Sequence, residues 1–142
     1  MRILIADDHE LIRKGIWTIL APSEDLEVCG EAATGQEAVE KAIKLTPDLV
    51  IMDVAMPVLS GLDATREIRK VMPDLPILIV SMHDDSGIVE ASRAAGARGF
   101  ITKMDVSTAL VIAVHALLRG QTFFHTEDRN SEGAEIRSSV AI

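Results

Sequence analysis

The sequence predicts an α/β domain, a doubly wound five-stranded parallel sheet with five helices on its two faces. Two observations carry that expectation. Short apolar runs alternate five times with segments whose apolar residues recur at helical spacing, the pattern of strand–helix–strand units. Two of the runs, Leu49-Val50-Ile51-Met52 and Ile77-Leu78-Ile79-Val80, show no polar alternation at all, as strands buried on both faces require. Right-handed crossovers then place helices on both sides of the sheet.

Arg2 to Ala6 is the first strand, followed at once by Asp7-Asp8-His9. Leu11, Ile12, Ile16, Ile19 and Leu20 are spaced as one face of a helix that Pro22 and Ser23 close. Leu26 to Ala33 reads as a second, weaker strand. Thr34-Gly35-Gln36-Glu37 resembles a capping box, with Ala38, Val39, Ala42, Ile43 and Leu45 as the apolar stripe behind it. Thr46-Pro47 stops that helix, because proline lacks an amide hydrogen and disfavours helix in the residue before it. The third strand ends on Asp53, and Val54-Ala55-Met56-Pro57 opens a loop that runs to Ser60-Gly61.

A helix from about Leu62 to Met72 turns Leu62, Thr65, Ile68 and Val71 or Met72 to one side. Pro73 and Pro76 bracket the connection to the fourth strand, which ends at Ser81. Beyond the loop Met82-His83-Asp84-Asp85, the helix from Ser86 to Ala95 contains Gly87 and few apolar residues, so it is expected to dock shallowly. Gly96-Ala97-Arg98-Gly99 turns into Phe100-Ile101-Thr102, ending at Lys103. The last helix runs from about Val106 to Arg119, with Gly120 placed to end it. Leu110, Ala113, Val114 and Leu117 form its inward stripe. Val111, Ile112 and Leu118 lie off the centre of that stripe and are candidates for a self-association or output surface, against the plainer reading of a wide core stripe. Residues 1–122 are expected to form the domain, and residues 123–142, rich in Glu, Ser, Gly and Arg beyond Thr126, a linker or disordered tail.

A chain of 142 residues has room for one domain with a real core, and Trp17, Phe100, Phe123 and Phe124 are its only aromatic residues. The core must therefore be aliphatic. A net charge of −8 argues against direct grip on nucleic acid, which needs a basic surface. Cys29 is alone, so no disulfide framework is implied. The N-terminus meets Asp7-Asp8 too early for a signal peptide and no apolar run reaches membrane-spanning length, so a cytoplasmic location with no membrane partner is expected.

Ligands of open parallel sheets collect at the carboxyl ends of the strands. Asp53 alone reads equally well as a loop cap, but four strand ends share that edge: Asp7-Asp8, Asp53, Ser81 and Lys103. Three crowded carboxylates repel and need a cation among them, and oxygen ligands suit Mg²⁺. Lys103 adds an ammonium and Ser81 a hydroxyl donor. Such a set is suited to placing a phosphoryl group on Asp53.

Asp7-Asp8, Asp53 followed by Met56-Pro57, Gly61, Ser81, Phe100 and Lys103 resemble the receiver domain of bacterial two-component response regulators. The wording Asp7-Asp8-His9, Ser81-Met82-His83-Asp84-Asp85 and Gly96-Ala97-Arg98-Gly99-Phe100 is most similar to the NarL/FixJ group. The resemblance implies a flavodoxin-like fold with strand order 2-1-3-4-5. It implies that Asp53 accepts phosphate from a sensor histidine kinase and that Asp8, Asp53 and the Ala55 backbone carbonyl ligate Mg²⁺, with Asp7 acting through water. Lys103 and Ser81 would bind phosphoryl oxygens. Ser81 and Phe100 would be the switch pair, with Ser81 moving toward the phosphate and Phe100 rotating into the vacated space. The surface of the fourth helix, fifth strand and fifth helix would change in turn, controlling an output or a homodimer. His83 and Ala55 would tune the lifetime of the phosphoryl group. Met104 stands where many receivers have proline after the lysine, so a trans bond is expected there.

Other classes fit less well. A phosphatase of the haloacid dehalogenase type would want an acid at position 55, which is Ala. A nucleotide- or flavin-binding module would want a phosphate-cradling loop after strand one, where Asp7-Asp8 stand. A DNA-binding helix-turn-helix would have to follow the domain, and none fits before Ile142. The expectation is therefore a phosphorylation-controlled switch that is not a turnover enzyme and does not itself bind DNA.

Overall fold

β3 (Leu49–Asp53) and β4 (Ile77–Ser81) are buried at every residue, and the other elements are layered around them. The computed structural model describes residues 1–83 and 85–124. Its remaining elements are β1 (Arg2–Ala6), α1 (Glu10–Leu20), β2 (Glu27–Ala32), α2 (Gly35–Leu45), α3 (Gly61–Val71), α4 (Ser86–Ala95), β5 (Gly99–Thr102), α5 (Val106–Leu118) and β6 (Phe123–Phe124). A single 3-10 turn, Lys103–Asp105, links β5 to α5. The strand order is β2-β1-β3-β4-β5-β6 and every pairing is parallel.

Because successive strand residues point to opposite faces, each strand feeds two cores. Ile3, Ile5, Leu49, Ile51, Leu78, Val80 and Ile101 pack with Ile16 and Leu20 of α1 and Leu110, Val114 and Leu117 of α5. Leu4, Val50, Met52, Ile77, Ile79 and Phe100 pack with Ala38 and Ala42 of α2, Ala64 and Ile68 of α3 and Val89 of α4. Each fully buried Leu or Ile contributes about 1.5–3 kcal/mol, so this aliphatic core suffices without many aromatic rings. α4 is anchored by only three buried residues, Val89, Ser92 and Ala95, in keeping with the shallow docking expected.

Side-chain caps set the starts of α2, α3 and α4. The Thr34 hydroxyl accepts from the Glu37 N–H at 3.0 Å. The Glu37 carboxylate reaches back to the Ala33 N–H at 2.6 Å, one residue short of the usual capping-box partner. Ser60 and Asp85 cap α3 and α4 in the same way. The buried Thr65 hydroxyl is satisfied by donating to the Gly61 carbonyl at 2.7 Å.

The structure corrects the sequence reading in three places. The sheet has six strands rather than five, and the folded unit runs to Phe124, past the expected boundary at residue 122. The cause is local: Gly120 (φ +85°) closes α5 in a Schellman turn, with its N–H donating to Leu117 and the Gln121 N–H to Ala116. The chain is thereby sent back along β5, where Phe123 and Phe124 pair with Gly99 and Phe100. A two-residue strand carries no periodicity to read. Secondly, Leu11, Ile43 and Val71 are exposed; each lies at the margin of its helical stripe, beyond the reach of the sheet. Thirdly, Phe100 is already fully buried in the core on the α3 and α4 side, so the expected inward rotation has no outward starting position here. No cis peptide bond occurs among the described residues, and the Lys103–Met104 bond is trans as expected. The remainder of the expected tail, residues 125–142, lies outside the described residues.

Candidate functional site

The parallel register brings the ends of β1, β3, β4 and β5 to one edge. Asp7 leaves β1 with its N–H bonded to the Ala32 carbonyl at 3.0 Å, and Asp53 ends β3. Both carboxylates are buried. The Lys103 ammonium, nearly buried itself, reaches Asp7 Oδ2 at 2.9 Å and Asp53 Oδ1 at 3.3 Å. Asp8 is more open, and its Oδ1 lies 3.1 Å from His9 Nδ1. The His9 N–H donates to Asp7 Oδ1 at 2.8 Å. Neither Asp7 nor Asp8 is the cap of α1: His9 occupies the N-cap and makes no side-chain cap bond.

Charge is unevenly matched in this cluster. Burial pushes the Asp53 carboxyl above its ordinary range, the neighbouring Asp7 charge adds to that, and Lys103 only partly opposes it. Burial alone would lower the Lys103 ammonium, yet its bond to Asp7 and the charge of Asp53 outweigh burial and raise it. The site therefore holds more negative charge than it neutralises. One ligand atom each from Asp7, Asp8, His9 and Asp53 lies within 4.8 Å of the others. Three carboxylates with a single nitrogen form a donor set that fits a small, hard, oxygen-seeking divalent cation.

Ser81 ends β4 one residue beyond Val80, the register partner of Asp53. Its buried hydroxyl accepts from the His83 N–H at 3.1 Å, and its own O–H has no acceptor among the described residues. His83 is exposed and takes part only through its backbone. Ala55 is exposed two residues beyond Asp53. Its loop is tightly braced: the Gly61 N–H donates to the Val54 carbonyl at 2.8 Å, and a Cβ on Gly61 would fall 1.8 Å from the Asp53 carbonyl. The Leu59 N–H donates to the Pro57 carbonyl at 2.8 Å, closing a turn centred on Val58 at φ +71°.

Asp7, Asp53 and Lys103 are thus brought into contact with Asp8 close by, and Ser81 stands on the adjacent strand end. Phe100 lies two residues deeper on β5, next to Ile79 and Phe124, and the Arg93 guanidinium stands 3.8 Å over the Phe124 ring. Val111 and Leu118 are half-buried and Ile112 is exposed, on α5. Three contributors were not singled out as site residues from sequence. His9 joins the acids. Thr102 is buried and donates to Asp105 Oδ2 at 3.0 Å, pinning the turn that presents Lys103. Arg13 donates to the Asp7 carbonyl. Nothing in the sequence marks it.

The family model for the response regulator receiver domain matches residues 3–115. The transcriptional regulatory protein DegU of Brevibacillus brevis is 37% identical over 140 residues, covering 99% of this chain and 59% of that protein. The oxygen regulatory protein NreC of Staphylococcus carnosus is 42% identical over 124 residues, covering 87% of this chain and 57% of that protein. The chain thus spans less than two thirds of the length of these curated relatives. Among solved structures, a LuxR-family two-component response regulator from Aurantimonas sp. SI85-9A1 superposes with a TM-score of 0.85 at 34% identity, over 99% of this chain and 94% of the other. The receiver domain of the putative response regulator NarL from Mycobacterium tuberculosis gives 0.79 at 33% identity, over 84% and 97%.

Proposed function

Because the chain belongs to the response regulator receiver family, we infer that it is a phosphorylation-controlled switch in which Asp53 accepts a phosphoryl group from a sensor histidine kinase. The observation that carries this reading is a buried Asp53 facing Lys103 at 3.3 Å beside two further acids. In the reaction an Asp53 oxygen attacks phosphorus, the new P–O bond forms, the donor's P–N bond breaks, and the departing imidazole nitrogen takes up a proton. Lys103 offers positive charge to the transferred oxygens, and the free O–H of Ser81 offers a hydrogen bond.

Asp8, Asp53 and the Ala55 carbonyl would hold Mg²⁺, with Asp7 contributing through water. When bound, the ion would neutralise charge on the acids and on the incoming phosphoryl group. The reaction is stoichiometric, so the chain is a switch rather than a turnover enzyme. Ala55 and His83 flank the approach of water and would govern how long the phosphoryl group lasts.

A protein donor is favoured by the rim of the site. Leu11, Val58, Met82 and Met104, at 79%, 81%, 67% and 83% exposure, stand close in sequence to His9, Asp53, Ser81 and Lys103. Exposed apolar side chains on the segments that carry the acidic site suit a macromolecular partner better than a small phosphodonor alone. Output would pass from Ser81 to the surface of α4, β5 and α5, where Ile112, with Val111 and Leu118 beside it, is available for a homodimer on phosphorylation. DNA binding would fall to a helix-turn-helix domain in the longer relatives. A cytoplasmic location fits this reading, and no helix among the described residues is long and apolar enough to cross a membrane.

Incubation with Mg²⁺ and acetyl phosphate should yield one base-labile adduct, located at Asp53 by mass spectrometry and absent in Asp53→Asn. Equal labelling of that variant, or no labelling of wild type, would overturn the assignment.

A further inference from the structure

We propose that Arg13 is a positioning residue of the acid site, acting through the Asp7 carbonyl to hold Asp8 in place; the inference rests on the metal-dependent reading above. Arg13 lies in α1, and its side chain is only 15% exposed. Its Nη1 donates to the Asp7 carbonyl at 2.6 Å and its Nε to Glu31 Oε1 at 2.6 Å. The ion pair with Glu31 aims the planar guanidinium, so the second bond falls on that carbonyl with little freedom. The Lys41 ammonium in turn binds the Glu31 carbonyl, tying the end of β2 into the same bracket.

The carbonyl of Asp7 belongs to the peptide plane that joins Asp7 to Asp8, so gripping its oxygen fixes the orientation of the whole plane. Asp7 has other anchors: its N–H is held by Ala32, Oδ1 by the His9 N–H and Oδ2 by Lys103. Asp8 has far fewer. Its side chain is 29% exposed and, among the described residues, meets only His9 Nδ1, itself on a largely exposed ring. The pose of Asp8 therefore depends on its backbone, held by the turn that the His9 N–H closes on Asp7 Oδ1 and by the Arg13 grip on the peptide leading into Asp8. A group that orients a metal-binding carboxylate without touching the metal acts as an outer-shell partner, and loss of such a partner weakens metal binding by about 10–100-fold.

The competing role is purely structural, a tie between the ends of β1 and β2. Full-length variants separate the two, with Mg²⁺ affinity measured by calorimetry and Tm measured with and without Mg²⁺. Arg13→Met removes both bonds and should raise the Kd for Mg²⁺ at least about tenfold, while acetyl phosphate labelling of Asp53 recovers at saturating Mg²⁺. Glu31→Gln removes the ion pair but leaves the carbonyl grip; it should lower Tm in the same direction yet keep the Kd within about twofold of wild type. Arg13→Lys can still donate to the carbonyl and should lie between wild type and Arg13→Met in affinity.

An Arg13→Met protein that binds Mg²⁺ like wild type overturns the proposal, as does a Glu31→Gln protein weakened as much as Arg13→Met. If Arg13→Met does not fold, Arg13→Lys decides by whether its affinity falls by more than that of Glu31→Gln. A wild type that neither binds Mg²⁺ nor labels at Asp53 overturns the underlying reading as well, a result distinct from any difference among the variants.

Discussion

The two edges of the sheet spend their charged residues in opposite ways. At the edge where strands begin, three arginines gather the carbonyls left open at helix C-termini. Arg2 donates to Leu45 and Thr46 after α2, Arg69 to Met72, Pro73 and Gly96 after α3 and α4, and Arg98 to Pro73 and Asp74. Every one of these guanidiniums finds its acceptors within the chain. At the edge where strands end, three acids face one lysine, and Asp53 is driven above its ordinary range by burial and by Asp7. One edge is complete as folded. The other keeps more acid than its lysine balances, and it is there that the proposed cation and phosphoryl group would sit.

Removing charge should therefore affect the edges differently, and Lys103 gives the largest effect. Lys103→Met leaves Asp7 and Asp53 buried without their ammonium, which should cost about 3 kcal/mol at neutral pH in urea denaturation without divalent cations. The loss should shrink as pH falls and the Asp53 carboxyl, already raised by burial, takes up a proton. A cost below about 1 kcal/mol would mean that the acids are already balanced. At the opposite edge, Arg69→Ala strands carbonyls of α3 and of the turn after α4 and should cost about 2 kcal/mol. That cost should not depend on Mg²⁺, and acetyl phosphate should label Asp53 as in wild type. Loss of labelling in step with stability would show that the edges are not independent.

The same contrast explains what the sequence could disclose. The fold was legible because β3, β4 and the stripes of Ala38, Ala42, Ile68, Leu110 and Leu117 repeat their pattern over many residues. Asp7, Asp8, Asp53, Ser81 and Lys103 were legible because the strand ends put them in register, one after another, on the same edge. Arg13 and Thr102 act through single hydrogen bonds to a backbone oxygen and a carboxylate, and no spacing rule marks such contacts. β6 depends on the Schellman turn at Gly120 and on two phenylalanines, too short a run for periodicity. The inward turn expected of Phe100 is a matter of state rather than position: only packing around the ring shows that it is already inside.

Asp53→Asn tests the charge imbalance itself. A carboxyl raised in the folded state makes its ionised form a burden, which appears as pH rises from the ordinary value near 3.8 through the folded value. The variant should thus be more stable than wild type at neutral pH by about 1 kcal/mol, a rise of about 4 °C in Tm. The gap should close toward pH 4. Mg²⁺ should narrow it at neutral pH, because cation binding stabilises wild type more than the variant. A variant less stable than wild type at pH 7 without metal would show that the pairing with Lys103 outweighs burial and repulsion.

The smallest effect concerns backbone strain, where the edges differ again. Val58, beyond Asp53, and Thr46, at the end of α2, are the two non-glycine residues with positive φ among those described, at +71° and +44°. Such a conformation costs an L-residue about 1–2 kcal/mol, more severely when it is β-branched. Thr46 recovers part of this, since its N–H donates to Ala42, its hydroxyl to Leu45, and its carbonyl accepts from Arg2. Val58 is exposed and has no contact of that kind to lose. Glycine removes the strain at either position but costs about 0.5–1 kcal/mol in unfolded-chain entropy. Val58→Gly should therefore gain about 0.5–1 kcal/mol, whereas Thr46→Gly, which also gives up its hydroxyl bond, should gain nothing or lose stability. Urea denaturation of the pair decides: if Thr46→Gly proves the more stabilising, the strain is not concentrated at the functional edge. If Val58→Gly gains as expected, the chain carries an exposed valine in a strained turn beside Asp53 at a cost to its own stability. Stability then gives no reason for that side chain, whereas a partner docking on the apolar rim would.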